Sequence, residues 1–126
     1  MTILGLHHTS LLVSNLERAL VFYLHTLGFT QDETRPEMSF DGAWLRAGDQ
    51  SLHLLELPNP DPLAGRPQHA GRDRHSAFLV DDLDELMQTI EAQTVPYTLS
   101  RSGRRALFCR DPDGNGLEFI EVEKRK

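Results

Sequence analysis

Apolar residues recur along the chain at two spacings, alternate positions and helical positions, and the same succession of spacings occurs twice. Residues 5–13 are mostly apolar or small with β-branched members, which predicts a strand. The spacing from Ser14 to Glu17 is that of a helix capping box, and Gly28 is placed to end the helix that follows. The apolar stripe of this predicted helix consists of Leu16, Ala19, Leu20, Tyr23 and Leu27.

The second succession starts with a predicted strand over residues 75–80, and Asp81 or Asp82 is predicted to cap its helix. That helix has an apolar stripe of Leu83, Leu86, Met87 and Ile90, which we interpret as packing against a sheet. Three shorter strands are predicted after each helix: 29–38, 42–47 and 51–57 in the first copy, and 96–101, 104–110 and 117–123 in the second. The run from Asp111 to Gly116 is dense in turn-forming residues.

Sliding the sequence along itself shows that the two successions are copies. An offset of 67 places His8 on His75 and Leu16 on Leu83, and most intervening pairs are chemically close. An offset of 65 places the segment 52–57 on the segment 117–122. Two matches in the same order at nearly the same offset indicate a tandem repeat rather than chance.

The repeat predicts an α+β fold made of two tandem βαβββ modules. We expect one domain over residues 1–126, with module 1 at about 4–57, an irregular connection at 58–73 and module 2 at about 74–123. The eight strands are predicted to form a curved, mixed eight-stranded sheet around a cleft, with the helices outside. Edges of such sheets need covering, which is compatible with a homodimer, although the sequence does not specify one.

Composition and charge argue against several classes of binding partner. A formal charge of −6 argues against a nucleic-acid binder and against an anionic membrane surface, because both require a basic face. No apolar run approaches the roughly 20 residues that span a bilayer, and the first ten residues do not have the pattern of a signal peptide. The single cysteine, Cys109, allows no intrachain disulfide, so we expect a reducing compartment and a cytoplasmic location.

The repeat links four positions that all carry metal-binding side chains: His8 with His75, and His53 with Glu118. If the modules are related by a pseudo-twofold axis, these side chains face one cavity. Imidazole nitrogens and a carboxylate suit Fe, Zn, Mn, Ni or Co, and a buried Glu118 needs a cation as partner. Isolated strand histidines are more often hydrogen-bonded core residues. His53 in particular has three interpretations: it binds the metal, it contacts a metal ligand without binding the metal, or it acts as a catalytic base.

Three further residues are candidates for substrate binding. Arg74 lies with Arg72 before His75, and Arg105 lies in a cluster with Arg101 and Arg104. Such local positive charge suits a small anionic substrate. The alternative is that these arginines are solvated or paired with the many acidic residues. Trp44 is a candidate apolar wall for a ligand, with core packing as the alternative.

Three motifs resemble those of one protein family. They are Gly5–Tyr23 followed by Leu27–Phe29, then Arg74–Phe78, then the run from Asp111 to Phe119. Together they resemble the vicinal oxygen chelate proteins, the superfamily of glyoxalases, fosfomycin and bleomycin resistance proteins and extradiol dioxygenases. The resemblance implies paired βαβββ modules and a divalent metal bound by His8, His75 and Glu118.

One position departs from the enzymes of this family that move a proton between two opposed carboxylates. Glyoxalase I enzymes carry a carboxylate, and the epimerases carry Glu or Gln, at the place that His53 occupies here. We therefore assign His53 as a candidate catalytic base, since imidazole accepts a proton near neutral pH.

Two hypotheses of function follow. The first is a metal-dependent lyase, isomerase or dioxygenase acting on a small substrate that chelates the ion through two oxygens. The second is a metal-free protein of the same fold that binds a small molecule or an antibiotic.

Overall fold

The chain folds into two compact units, each with a helix and a small mixed sheet. The computed structural model describes residues 1–122, of which Met1–Asp61 form the first unit, and the second begins at Pro62. Each unit contains four strands and a helical segment in the order βαβββ. The α+β class and the two βαβββ modules predicted from the repeat are thereby confirmed.

The first unit has β1 at the edge of its sheet and β4 and β3 in the middle. Its strands are β1 (His8–Val13), β2 (Thr30–Asp32), β3 (Gly42–Ala47) and β4 (Gln50–Glu56), in the spatial order β1-β4-β3-β2. β1 and β4 are parallel, and the other pairs are antiparallel. Helix α1 (Leu16–Leu20) continues directly into a π-helical segment, Val21–Thr26.

The second unit repeats this topology. Its strands are β5 (His75–Val80), β6 (Tyr97–Leu99), β7 (Ala106–Arg110) and β8 (Gly116–Glu121), in the spatial order β5-β8-β7-β6. Helix α2 (Leu83–Ala92) follows β5, and a short 3₁₀ turn (Ala70–Arg72) precedes it. The strands predicted as an eight-stranded sheet are thus hydrogen-bonded as two sheets of four, because every strand pairs within its own module.

A row of buried side chains lies on the face of each sheet that the helix covers. In the first unit, Leu45, Leu52 and Leu54 are at most 1% exposed, and they alternate with residues of the opposite face. In the second unit, Leu117 and Leu107 belong to the equivalent row and are fully buried, and the opposite face also holds buried residues, Phe108 and Glu118. Burying one such leucine side chain contributes about 1.5–3 kcal/mol, so these rows fix which face of each sheet packs against the helix.

Both helices begin with a side-chain cap and a strand carboxylate that binds the first helical N–H. The cap of the first helix lies one residue later than the capping-box spacing predicts. The cap of α1 is Asn15, whose side chain accepts from the backbone N–H of Arg18, and the predicted cap at Ser14 is wrong. A strand carboxylate accepts the N–H of the first helical residue in both units. Glu56 accepts from Leu16 at 2.7 Å, and the other pair is Leu83 N–H to Glu121 at 2.8 Å.

Strand β2 is shorter than predicted. It covers three residues rather than the predicted 29–38, because Asp32 accepts hydrogen bonds from the backbone and hydroxyl of Thr34, which turn the chain.

Within residues 1–122, we find no helix with the length and apolar content needed to traverse a bilayer.

Candidate metal centre

The strand register of the first unit brings two predicted site residues together. His53 of β4 lies opposite Ser10 of β1, so His53 and His8 point from the same face of the sheet. Their rings stack at a centroid distance of 4.1 Å with an interplanar angle of 18°. Trp44 of β3, directly opposite His53, stacks on the other side at 4.5 Å and 8°. The three side chains form a continuous aromatic row.

The surroundings of His53 favour its neutral form. Partial burial lowers its pKa from the ordinary value of 6.5, and electrostatic interaction with the neighbouring imidazoles of His8 and His7 lowers the pKa further. Nδ1 of His7 lies 2.8 Å from Nδ1 of His8, so one of these two nitrogens carries a proton. A neutral imidazole at position 53 retains a lone pair near pH 7, which a base or a metal ligand requires.

The second unit places His75 and Glu118 in the same relation. Glu118 of β8 lies opposite Ala77 of β5, on the face that carries His75. His75 Nε2 is 3.0 Å from Glu118 Oε1, and the carboxylate is 3% exposed. The close approach of the two strands requires a glycine beside them. A Cβ at Gly116 would lie 2.8 Å from the carbonyl oxygen of Arg74 and 3.1 Å from Cβ of His75.

The tautomer of His75 follows from its second contact. His75 Nδ1 lies 2.8 Å from the carbonyl oxygen of Asp73, and because a carbonyl only accepts, Nδ1 must donate. In the neutral ring Nε2 then carries a lone pair, and this lone pair faces a carboxylate oxygen of Glu118. Two electron-pair donors at 3.0 Å repel unless a cation lies between them. That cation is either a proton or a metal ion.

These residues fit a divalent ion. Two ligand atoms, each about 2.1 Å from one ion and at right angles to each other, lie about 3.0 Å apart. The Nε2–Oε1 separation of 3.0 Å therefore matches two neighbouring ligands of one ion. Within either unit, residues 1–122 contain no group of three or more His, Cys, Asp or Glu side chains able to hold a metal. Each unit thus supplies a pair of donors.

Asp73 is held firmly by two arginines. Its carboxylate receives Nε and Nη2 of Arg66 at 2.7 and 3.0 Å, and Nη1 of Arg110 at 2.9 Å. The hydrogen bonds from Arg66 hold the pKa of Asp73 well below its usual range, with Arg110 adding to the shift. This clamp fixes the backbone whose carbonyl orients His75.

The three predicted substrate-binding residues have different surroundings. Trp44 belongs to the aromatic row described above. Arg105 is engaged by two carboxylates, Asp84 at 2.7 Å and Glu121 at 3.0 Å. Arg74 is exposed and lies directly before His75.

The structure distinguishes Arg104 from the other members of its arginine cluster. Its Nη2 donates to Glu118 Oε2 at 2.9 Å, so both oxygens of this carboxylate have partners. The sequence shows the cluster of Arg101, Arg104 and Arg105, but the contact of Arg104 with Glu118 is visible only in the structure.

The only thiol of the chain is unsuited to nucleophilic catalysis. Cys109 is buried in β7, and burial raises its pKa to about 12, so the reactive thiolate is not formed near neutral pH.

The family assignment rests on nearly the whole chain. Residues 5–119 match the model of the Glyoxalase/Bleomycin resistance protein/Dioxygenase superfamily. The chain belongs to this superfamily. The match spans every strand up to the middle of β8, including both donor pairs.

Several relatives align with almost the full chain. The uncharacterized protein YaeR of Escherichia coli strain K12 is 34% identical over an alignment of 126 positions, which covers 91% of this chain and 94% of YaeR. Lactoylglutathione lyase of Haemophilus influenzae is 30% identical over an alignment of 127 positions, which covers 94% of this chain and 93% of the lyase. A glyoxalase family structure from Bacillus anthracis superposes with a TM-score of 0.76 at 27% identity, covering 98% of each chain.

Proposed function

We propose that this member of the superfamily is a metal-dependent enzyme that acts on a small, oxygen-chelating substrate. His8, His75 and Glu118 are the proposed ligands of one divalent ion, Fe, Zn, Mn, Ni or Co, and His53 is the proposed catalytic base. The observation that carries the proposal is the His75–Glu118 pair. A lone pair fixed by the Asp73 carbonyl faces a buried carboxylate oxygen at 3.0 Å, an arrangement that requires a cation.

The bound ion would act as a Lewis acid and stabilise negative charge that develops on the substrate oxygens. The residues of the chain have separate tasks around it. His53, whose lowered pKa keeps Nδ1 or Nε2 unprotonated at pH 7, accepts a proton from the substrate. Trp44 holds the His53 ring by stacking and excludes water from one side of it. Asp73 keeps His75 in the tautomer whose Nε2 lone pair is directed at Glu118.

The reaction class is a lyase, an isomerase or a dioxygenase reaction. The similarity to lactoylglutathione lyase supports lyase chemistry in particular. Histidine at position 53 favours a single imidazole base over a pair of opposed carboxylates. Arg74 and Trp44 remain the proposed contacts to the substrate, whereas the guanidinium of Arg105 is engaged by Asp84 and Glu121. A cytoplasmic homodimer remains a prediction from the sequence.

One observation favours a second candidate function. The stacked rings of His8, His53 and Trp44 form an aromatic surface that suits a flat ligand without any ion. A metal-free small-molecule or antibiotic binding protein would use this surface. The buried Glu118 distinguishes the two functions, because a binder has no use for the second donor pair.

The deciding experiment is metal analysis of protein purified without chelator, followed by two assays. We expect a stoichiometric divalent ion that is lost in His75→Ala and retained in His25→Ala, a matched loss of an exposed helical imidazole. Oxygen consumption with catechols and isomerisation of a thiol adduct then separate dioxygenase from lyase or isomerase chemistry. A protein that takes up no ion, with His75→Ala indistinguishable from wild type, would support the metal-free binder.

A further inference from the structure

We propose that Arg104 determines specificity by binding a carboxylate group of the substrate beside its metal-chelating oxygens. This inference rests on the proposed metal site and names the class of substrate that the site selects. The sequence-based expectation named Arg74 and Arg105 as candidates and placed Arg104 in the same cluster as Arg105; the contact with Glu118 selects Arg104.

The first argument is the position of the guanidinium. Nη2 of Arg104 contacts Oε2 of Glu118, while Oε1 of the same carboxylate faces His75. An ion bound between His75 Nε2 and Glu118 Oε1 would leave Glu118 Oε2 hydrogen-bonded to Arg104. The carboxylate therefore anchors the arginine beside the place where a chelating substrate would bind.

The second argument is the exposure of Arg104. Its side chain is 58% exposed although its partner, the Glu118 side chain, is only 4% exposed. Guanidinium has five N–H donors in a planar fork, and the contact with Glu118 uses one nitrogen. The other edge of the fork suits the two oxygens of an incoming carboxylate, which arginine binds in a bidentate manner.

The third argument is charge. The carboxylate of Glu118 and the guanidinium of Arg104 cancel, and His75 is neutral when Nε2 acts as a ligand. A divalent ion then gives this half-site a charge of about +2, by adding formal charges. A substrate with a carboxylate in addition to its chelating oxygens compensates this excess better than a neutral chelator does.

Arg105 is placed differently, although it is the adjacent residue. Asp84 and Glu121 contact its Nη2 and Nε, so two carboxylates already occupy its guanidinium. Glu121 lies on the helix-covered face of β8, and Glu118 lies on the opposite face. The adjacent residues Arg104 and Arg105 therefore contact carboxylates on opposite faces of this strand. The neighbouring arginines thus have separate roles: Arg105 links β8 to α2, and Arg104 serves the donor pair.

The test uses Co²⁺-loaded full-length protein and two hydroxamate probes. Acetohydroxamate and succinic acid monohydroxamate chelate an ion through the same two oxygens, and only the second carries a carboxylate. Both affinities are measured from the Co²⁺ absorption spectrum, in wild type and in Arg104→Gln, Arg104→Lys, Arg105→Gln and Arg101→Gln. Arg101→Gln is the control for net charge, because Arg101 belongs to the same exposed segment.

We expect wild type to prefer the succinic probe, and Arg104→Gln to lower that preference about tenfold, the value of one charge-assisted hydrogen bond. Arg104→Lys should restore part of it, and Arg105→Gln and Arg101→Gln should leave it unchanged. Co²⁺ uptake should persist in Arg104→Gln. An equal preference in wild type and Arg104→Gln, a loss equally large in Arg101→Gln, or loss of Co²⁺ uptake in Arg104→Gln would overturn the role of Arg104 alone. If wild type takes up no Co²⁺, the proposed metal site fails as well.

Discussion

The two units use one strand register and fill it with different chemistry. In the first unit, neutral His53 stacks between His8 and Trp44, and its position is half-buried. In the second unit, the equivalent position holds Glu118, which is buried and contacts His75 and Arg104. Repetition of the backbone thus gives two donor pairs in the same strand register, a stacked pair of imidazoles and an imidazole that contacts a carboxylate.

This difference assigns separate tasks to the two pairs. An anionic oxygen attracts a divalent cation far more strongly than an imidazole does, so the second unit should dominate metal affinity. The stacked imidazole of the first unit has a lowered pKa, which suits proton transfer near neutral pH.

The largest expected effect tests this division. Glu118→Gln should weaken metal affinity at least about 100-fold. Replacing a residue that only hydrogen-bonds to a ligand typically weakens affinity about 10–100-fold, and replacing the ligand itself should weaken it more. His53→Gln should weaken affinity about tenfold or less and reduce turnover instead. Titration with Co²⁺ and steady-state kinetics measure the two effects. Equal losses of affinity in both variants would remove the distinction between the units.

Replacing Gly116 should have the next largest effect. Gly116→Ala brings a Cβ to 2.8 Å from the Arg74 carbonyl and pushes β5 away from β8, which should cost about 1–3 kcal/mol. Ser51 is the equivalent register position in the first unit, and Ser51→Ala should cost about 1 kcal/mol through one hydroxyl hydrogen bond. Urea unfolding compares the two variants. A Gly116→Ala protein as stable as wild type would show that the strands are less tightly apposed.

The sequence predicted the backbone better than the side-chain contacts, for a physical reason. Strand β5 was predicted with its observed ends, 75–80, since its apolar alternation is bounded by a charged turn on each side. Strand β2 was predicted too long, because the side-chain hydrogen bonds of Asp32 that end it leave no trace in hydrophobic periodicity. The cap was placed at Ser14 rather than Asn15, because both residue types cap helices equally well.

The candidate site shows the same limit. The repeat linked His8 with His75 and His53 with Glu118, and alternation predicted which face of its strand each side chain occupies. The pairing of His8 with His53 and of His75 with Glu118 depends on how the strands align, which alternation alone does not determine. The choice between Arg104 and Arg105 depends on where β7 begins and on tertiary partners such as Asp84. Likewise, the Asp73 clamp joins residues distant in sequence, so composition and spacing do not reveal it.

A smaller effect concerns the helix caps, where the units again differ. Glu56→Gln removes the charge that accepts the N–H of Leu16, and should cost about 1 kcal/mol. Glu121→Gln removes the equivalent acceptor and also weakens the contact with Arg105, so it should cost more. Thermal unfolding of the two variants gives the comparison. If Glu56→Gln is the more destabilising variant, the contact of Arg105 with Glu121 contributes nothing to stability.

The smallest expected signal is spectroscopic. Trp44 is the only tryptophan, and a protonated imidazole stacked on it should quench its fluorescence. Since the pKa of His53 is lowered, fluorescence should fall only as the pH drops below 6.5. His8→Gln removes a neighbouring positive charge and part of the burial, so the midpoint should move upward. A midpoint above 6.5 in wild type, or no change in His8→Gln, would contradict the stacked, desolvated His53.

The central claim is that His75 and Glu118 share one metal ion with His8. Anomalous diffraction from crystals grown with Mn²⁺ tests it directly, because the anomalous signal identifies the ion and the refined coordinates identify its ligands. We predict an anomalous peak about 2.0–2.3 Å from His75 Nε2 and Glu118 Oε1, with His8 as the third protein ligand. A structure in which His75 and Glu118 remain in direct contact at full Mn²⁺ concentration, with no peak beside them, would contradict the account.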